Sequence, residues 1–315
     1  MKRGVFDVLR RGVDNTVANW PLILVRLGET LLFGMIVVLT AIAVVVPFLV
    51  SVGIQIADIH TPDDVASAAL SMMGKWVLLV WAFVAVLLML GLFVAIHSFV
   101  EAGCARVYVD GERTAGPAVN GLRTRYRAFS MDRWLAGGRE GWWVVFWIYN
   151  LAWTVGALIL LIPLLPTMVL MLVFREQPPV LVATGCIGIA VTVMLMVVVG
   201  IVMGMWTSRA ITGWAVRRAG ARDALAAGWS AIRGDLGRHV LVALAVIVVA
   251  FAGSSFFAGF SFFATFGEAM GRHNIFNFFT FPIRIASSIL SSAFSAAVSS
   301  WFLAAYAALA VEKDT

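Results

Sequence analysis

The sequence predicts an all-α, polytopic integral membrane protein with six transmembrane helices accompanied by interfacial amphipathic helices. Three observations carry that expectation. The 315 residues are 62% hydrophobic and 13% charged, whereas a soluble domain carries about 25% charged residues. Mean hydropathy is +0.96. Several apolar runs reach or exceed the roughly 20 residues needed to cross a hydrocarbon core, and the charged residues collect in the short segments between them. A water-soluble fold of this length has too little polar surface to cover that apolar content, so lipid is the expected solvent.

The elements follow in order. Phe6 to Asn19 sets Phe6, Val8, Leu9, Val13 and Val17 against Arg10, Arg11 and Asp14, the pattern of a short amphipathic helix lying in the membrane interface. The first span is expected from Leu22 to Val52, longer than a bilayer requires, so it should tilt or project. A polar loop follows over Asp58 to Asp64, with His60, Pro62 and Asp63. The second span, Trp76 to Val100, should continue as helix through Glu101 to Asp110 and stop at Gly111. A basic connector, Glu112 to Glu140, holds a second amphipathic piece around Tyr126 to Leu135. The third span is expected from Trp142 to Val169, kinked or broken near its end by Pro163 and Pro166. Pro178 and Pro179 mark a tight turn. The fourth span, Val180 to Trp206, extends through Arg209 to Arg218, and a third amphipathic piece covers Arg222 to Leu236. The fifth and sixth spans are expected at Val240 to Phe266 and Ile285 to Ala310. The aromatic stretch Phe276 to Phe281, closed by Pro282, is too short to span and should lie at the outer interface.

Orientation follows from the basic residues. Only Lys75, Arg175, Arg272 and Arg284 fall on one side of this arrangement, and the other nineteen lysines and arginines fall on the opposite side. The positive-inside rule puts the richer side in the cytoplasm, and an even number of spans then brings both termini there. Trp20, Trp76, Trp142, Trp143 and Trp206 near span ends match an aromatic belt. The apolar run after Pro21 is far longer than the h-region of a signal peptide, so no cleavage is expected, and no lipidation box is visible.

The chain reads as a single transmembrane domain, residues 1–315, with three pseudo-repeated units of amphipathic helix, span, outer loop and span at about 6–110, 126–218 and 222–313. Phe6 to Trp20 has the same spacing as Phe129 to Trp143, and the second spans end in similar extensions, Ala105 to Val109, Ala210 to Val216 and Ala305 to Val311. Any six-span protein with basic loops on one side parses in a related way, so the pattern allows both readings.

Ionisable groups within spans are the first functional suspects. Arg26 and Glu29 in the first span and His97 and Glu101 in the second lie at similar depth, and Asn150 and Arg209 share that depth in the third and fourth. These six residues are the candidate polar pocket, with Tyr149, Thr207 and Ser208 nearby; ion pairs snorkelling at the interface are the plain alternative. His97, Glu101 and Cys104 share a helical face at i, i+4 and i+7, a weak basis for a metal site, and His97 with His239 is a weaker one for haem. No metal, haem or other cofactor is expected. Ser288, Ser291, Ser292, Ser295 and Ser299 with Ala296 and Ala297 give the sixth span small residues at three- and four-residue spacing, which suits a helix at the centre of the bundle or a hydroxyl-lined path. Gly253 and Gly259 among the phenylalanines of the fifth span suit packing against it. Arg123, Arg125 and Arg127, and Arg217, Arg218 and Arg222, form juxtamembrane clusters that suit anionic lipid as well as topology.

The pI near 9.9 does not indicate nucleic acid, because the basic residues lie between apolar runs rather than on a soluble domain. Cys104 and Cys186 lie on different helices at opposite ends and are expected to be free, buried thiols. No Walker loop, GxSxG elbow or paired-carboxylate motif is present.

The basic amphipathic segment Arg222 to Leu236, with Asp223, Ala224, Ala227, Gly228 and Trp229 preceding a membrane hairpin, resembles a loose group of bacterial six-span membrane proteins. That group includes the membrane domain attached to some glycerophosphodiester phosphodiesterases and families of unknown function. The resemblance implies architecture and a bacterial inner membrane, and it transfers no catalytic residue, since the hydrolase domain has no counterpart here. The expected function is therefore a non-enzymatic inner-membrane scaffold or accessory subunit, with membrane lipids and a membrane-protein partner or a second copy as its partners. The alternative is a permease-like protein for an amphipathic or anionic solute or lipid.

Overall fold

The structure is a computed structural model and describes residues 3–52, 61, 63–64, 76–116, 123–270 and 274–312. No strand occurs among the described residues. Eight α-helices follow in order: α1 (Val5–Ala18), α2 (Pro21–Val52), α3 (Trp76–Ala115), α4 (Met131–Val173), α5 (Pro178–Arg217), α6 (Ala221–Gly234), α7 (Leu236–Met270) and α8 (Asn274–Glu312), with a 3-10 turn at Arg123–Tyr126 between α3 and α4. Six of them, α2, α3, α4, α5, α7 and α8, are long and apolar enough to cross a membrane. The protein is an all-α, polytopic membrane protein, as its composition requires.

The chain forms two compact units, Arg26–His97 and Met1–Val25 with Ser98–Thr315. In the smaller unit α2 and α3 run antiparallel in a fixed register. Glu29 pairs with His97, Phe33 stacks on Phe93 with ring centroids 3.5 Å apart, and Trp81 Nε1 donates to Ala43 O at 3.1 Å. As the residue number rises along α2 it falls along α3.

In the larger unit α8 is central, packing against α1, α5 and α7. Of its most apolar stretch 61% is buried, against at most 17% for the other spans. Its small residues make that possible, because they let backbones approach. The converse fit occurs at Gly253 on α7, where the Phe294 ring of α8 occupies the place a Cβ would take, 2.2 Å from its nearest atoms.

Three helix crossings in this unit are built alike. A Cβ on Gly12 of α1 would lie 3.0 Å from Ala305 N and 3.1 Å from its Cα on α8. One on Gly228 of α6 would lie 3.1 Å from Ala210 N and 3.2 Å from its Cα on α5. One on Gly137 of α4 would lie 3.3 Å from Gly103 Cα and 2.7 Å from Arg106 Cβ on α3. Each glycine follows by five residues an aspartate in the first turn of its helix, Asp7, Asp132 or Asp223. The acid complements the helix dipole, and the glycine lets the helix sit directly on its neighbour's backbone.

Several boundaries differ from expectation. Gly111 does not end α3; it lies inside the helix because a Cβ there would come within 2.6 Å of Tyr126 O and 2.8 Å of Asn15 Oδ1. The helix stops instead at Gly116, whose φ of 68° only glycine adopts cheaply. The second amphipathic piece is not a separate helix. Its first residues form the 3-10 turn, and the rest is the first turns of α4, which is capped by Ser130 accepting from Arg133 N at 3.2 Å and continues unbroken to Val173. Pro163 and Pro166 lie within α4 and Pro282 within α8, and the prolines at 178 and 179 open α5 rather than forming a turn. Proline is tolerated inside membrane helices where hydroxyls and neighbouring groups re-satisfy the backbone; Thr167 Oγ1 donates to Pro163 O at 2.7 Å. Phe276 to Phe281 belongs to α8 rather than to a separate interfacial stretch. Most of the polar loop, with His60 and Pro62, lies outside the described residues.

Candidate functional site

The most densely bonded polar region is built by α1. Its inward face is Val8, Arg11, Gly12, Asn15 and Thr16, whereas apolar Phe6 is 87% exposed and Val13 and Val17 also face outward. The helix thus turns its polar stripe to the protein and leaves its apolar stripe for the surroundings.

That stripe meets a fully buried carboxylate. Glu112 Oε1 accepts from Arg3 Nη1 and from Arg11 Nε, each at 2.6 Å. Arg11 also donates to Gly116 O at 2.6 Å, and its guanidinium lies 5.4 Å from the centroid of the Tyr126 ring. Burial, and after it the Glu112 charge, push the Tyr126 phenol above its usual pKa. Glu312 accepts from Arg3 N at 2.7 Å and pairs with Arg238. Two asparagines hold the connector: Asn15 Nδ2 donates to Tyr108 O at 2.9 Å, and Asn19 Nδ2 donates to Tyr126 O at 2.8 Å. Asn19 Oδ1 accepts from Ala128 N and Phe129 N at 2.9 and 2.8 Å. One side chain thereby saturates three backbone groups of a segment with little regular structure of its own.

The six residues of the expected polar pocket divide between the two units. Arg26, Glu29 and His97 are in the smaller, and Glu101, Asn150 and Arg209 are in the larger. Glu29 and His97 are joined at 2.6 Å through Oε1 and Nδ1. An ionised carboxylate only accepts, so Nδ1 carries the proton in that pair. Arg26 is buried one turn before Glu29, and Glu101 is buried one turn after His97. Asn150 spends its amide on its own helix, donating to Phe146 O at 2.8 Å, and Thr207 likewise donates to Met203 O at 2.8 Å. Arg209 is buried on α5. Among the described residues no group of three or more His, Cys, Asp and Glu side chains converges as metal ligands do. Both cysteines are free, but only Cys104 is buried; Cys186 is exposed, because α5 turns that face outward.

Two cavities lie within the larger unit. One, of about 510 Å³, is an apolar groove between α5, α7 and α8, floored by Gly200 and Gly204 and edged by Ser254, Ser295 and Ser299. The other, of about 310 Å³, lies where α1 gives way to α2, between Trp20, Pro21 and the basic residues Arg123 and Arg127.

Compared with known proteins, the chain finds no counterpart: no family model, no curated protein and no solved structure matches it.

Sequence reasoning centred on charges inside spans missed Arg3, Asn15, Asn19, Glu112, Arg238 and Glu312. The signal was present in α1, where Arg11, Asn15 and Asn19 share one stripe with Gly12 at helical spacing. A polar stripe interrupted by glycine marks a face pressed on protein rather than on water.

Proposed function

We propose that the protein is a non-enzymatic, lipid-surrounded membrane protein of the bacterial inner membrane, with both termini cytoplasmic, that serves as a scaffold or accessory subunit of a membrane complex. The observation that supports this reading is the contrast within the fold. One end of the larger unit is locked by the α1 network and the three glycine crossings, while the most apolar stretches of α2, α3 and α4 have only 6%, 0% and 6% of their residues buried. Helices so lightly covered by their own chain offer long faces to other helices, and association in lipid proceeds through such faces by close packing. The test is crosslinking in native membranes followed by purification in mild detergent. A stoichiometric partner or a defined homo-oligomer is expected, and a clean monomer with neither overturns the reading. Reporter fusions at Arg125 and Gly220 test the orientation, and both should report the cytoplasm.

A second reading, a permease-like role for an amphipathic or anionic solute or lipid, is favoured by the groove between α5, α7 and α8. Cβ atoms at Gly200 and Gly204 would meet nothing within 4 Å, so leucine at both positions would fill the groove and leave the fold intact. Solute or lipid flux in proteoliposomes that is unaffected by this filling, and by Gln at Glu29 and Glu101, removes this reading.

A further inference from the structure

We infer that the cavity at the α1–α2 junction is a binding site for the headgroup of an anionic phospholipid. The inference rests on the membrane reading of the chain and is independent of the scaffold role.

Four features carry it. The first is position: the cavity opens beside Pro21, where α2 begins, and Trp20 at its rim is 56% exposed. Exposed tryptophan at the start of a span sits at headgroup level, where its indole suits the boundary between phosphate and acyl chain. The second is charge. Arg123 and Arg127 both line the cavity. Asp14, held by Arg123 Nε at 2.9 Å, uses one of that guanidinium's five donors, and Arg127 makes no ion pair among the described residues. Two guanidinium groups on one cavity present the forked donors that phosphate oxygens accept. The third is a neutral donor: Thr124 also lines the cavity, one residue from Arg123 in the 3-10 turn, which Arg127 N closes by donating to Thr124 O at 3.2 Å.

The fourth is rigidity. Asn19 fixes the backbone on both sides of Arg127, at Tyr126 O and at Ala128 N and Phe129 N, so the arginines are carried on a segment already in place before the ligand arrives. Preorganised donors lose less entropy on binding than a free basic tail does. This separates the cavity from the other arginine cluster of the sequence, whose Arg218 is paired with Glu140 at 3.1 Å.

The experiment is native mass spectrometry of the full chain in detergent, titrated with phosphatidylglycerol or phosphatidylcholine. Wild type should retain phosphatidylglycerol in preference to phosphatidylcholine. Arg127→Gln should weaken that retention about fivefold and Arg123→Gln with Arg127→Gln about 25-fold, the loss expected for one and two charges near a lipid phosphate. Arg233→Gln removes the same charge from an exposed site on α6 and should change nothing. Because Arg127 has no ion-pair partner to lose, its single variant keeps the test valid if the double variant misfolds. Equal retention of the two lipids by wild type overturns the inference, as does an effect of Arg233→Gln as large as that of Arg127→Gln. Displacement of phosphatidylglycerol by millimolar inorganic phosphate assigns the cavity to soluble phosphate and also overturns it. A missing protein partner leaves every one of these readouts unchanged, so failure of the scaffold reading and failure of the lipid site are told apart.

Discussion

Arg11 Nε donates to Glu112 Oε1 at 2.6 Å across 101 residues of sequence, and the same oxygen takes Arg3 Nη1 at the same distance. Two cations therefore depend on one fully buried carboxylate. Replacing Glu112 with Ala leaves both in place without it, and breaking a buried pair in this way costs about 3–5 kcal/mol. The expected result is a large fall in the unfolding midpoint of the detergent-solubilised protein. Arg11→Met combined with Glu112→Leu should recover much of the loss, since a packed apolar pair avoids the unmatched charge.

The glycine crossings predict a ranking. Gly103→Ala should be the most harmful, because its Cβ would come within 2.7 Å of the Trp134 backbone oxygen, which cannot swing away. Gly12→Ala and Gly228→Ala meet backbone at 3.0–3.2 Å and should cost less, within the roughly 1–3 kcal/mol typical of overpacking. Gly200→Ala and Gly204→Ala should be neutral or mildly stabilising. Thermal unfolding of the five variants in one detergent checks the order.

Asn19→Ala should loosen the connector selectively. It removes three hydrogen bonds to backbone, and orphaned buried groups cost about 1–3 kcal/mol each. The expected readout is faster proteolysis between Arg123 and Ser130 with the long helices still protected. Equal proteolysis of wild type and variant would show that Asn19 does not hold this segment.

The α2–α3 register predicts a crosslink. Cysteines at Phe33 and Phe93 should form a disulfide under mild oxidation, whereas cysteines at Phe33 and Trp81 should not. Cleavage of the chain between the two helices makes the bridge visible as retained mobility on a denaturing gel.

Tyr126 predicts an alkaline effect. Its phenol titrates higher folded than unfolded, so the folded state holds the proton more tightly. Stability from this group is complete below the unfolded value near 10 and declines as pH rises beyond it. Tyr126→Phe should flatten that decline in a series of unfolding midpoints above pH 10, relative to wild type.

The spans were legible because hydrocarbon length leaves few alternatives for a run such as residues 22–52 or 76–100. Their ends were less so. Gly111 and Gly116 look equivalent in sequence, and only the approach of Tyr126 and Asn15 shows that the first packs while the second ends the helix. The prolines at 163 and 166 carry a rule learned in water, where a freed carbonyl is exposed and a break is cheap. The Glu29–His97 pair was readable from depth alone, since antiparallel neighbours bring equal depths together. The α1 network was not, because Glu112 and Glu312 gain their importance from residues more than a hundred positions away. The recurring aspartate and glycine five apart are visible in the chain once the crossings are known. They pair Gly12 with Gly137, two residues away from the pairing of Phe6 with Phe129.

The inward polar stripe of α1 also orders the protein's biosynthesis. Trp301 Nε1 donates to Leu9 O across 292 residues, and Gly12 rests on Ala305. The helix made first therefore has no seat until the last one has left the ribosome. At 5–20 residues per second that delay is roughly 15–60 s, during which Arg11, Asn15 and Asn19 must wait in water or at the headgroups. Ribosome-stalled chains ending before residue 300 should accordingly expose α1 to a water-soluble thiol reagent, and longer ones should shield it.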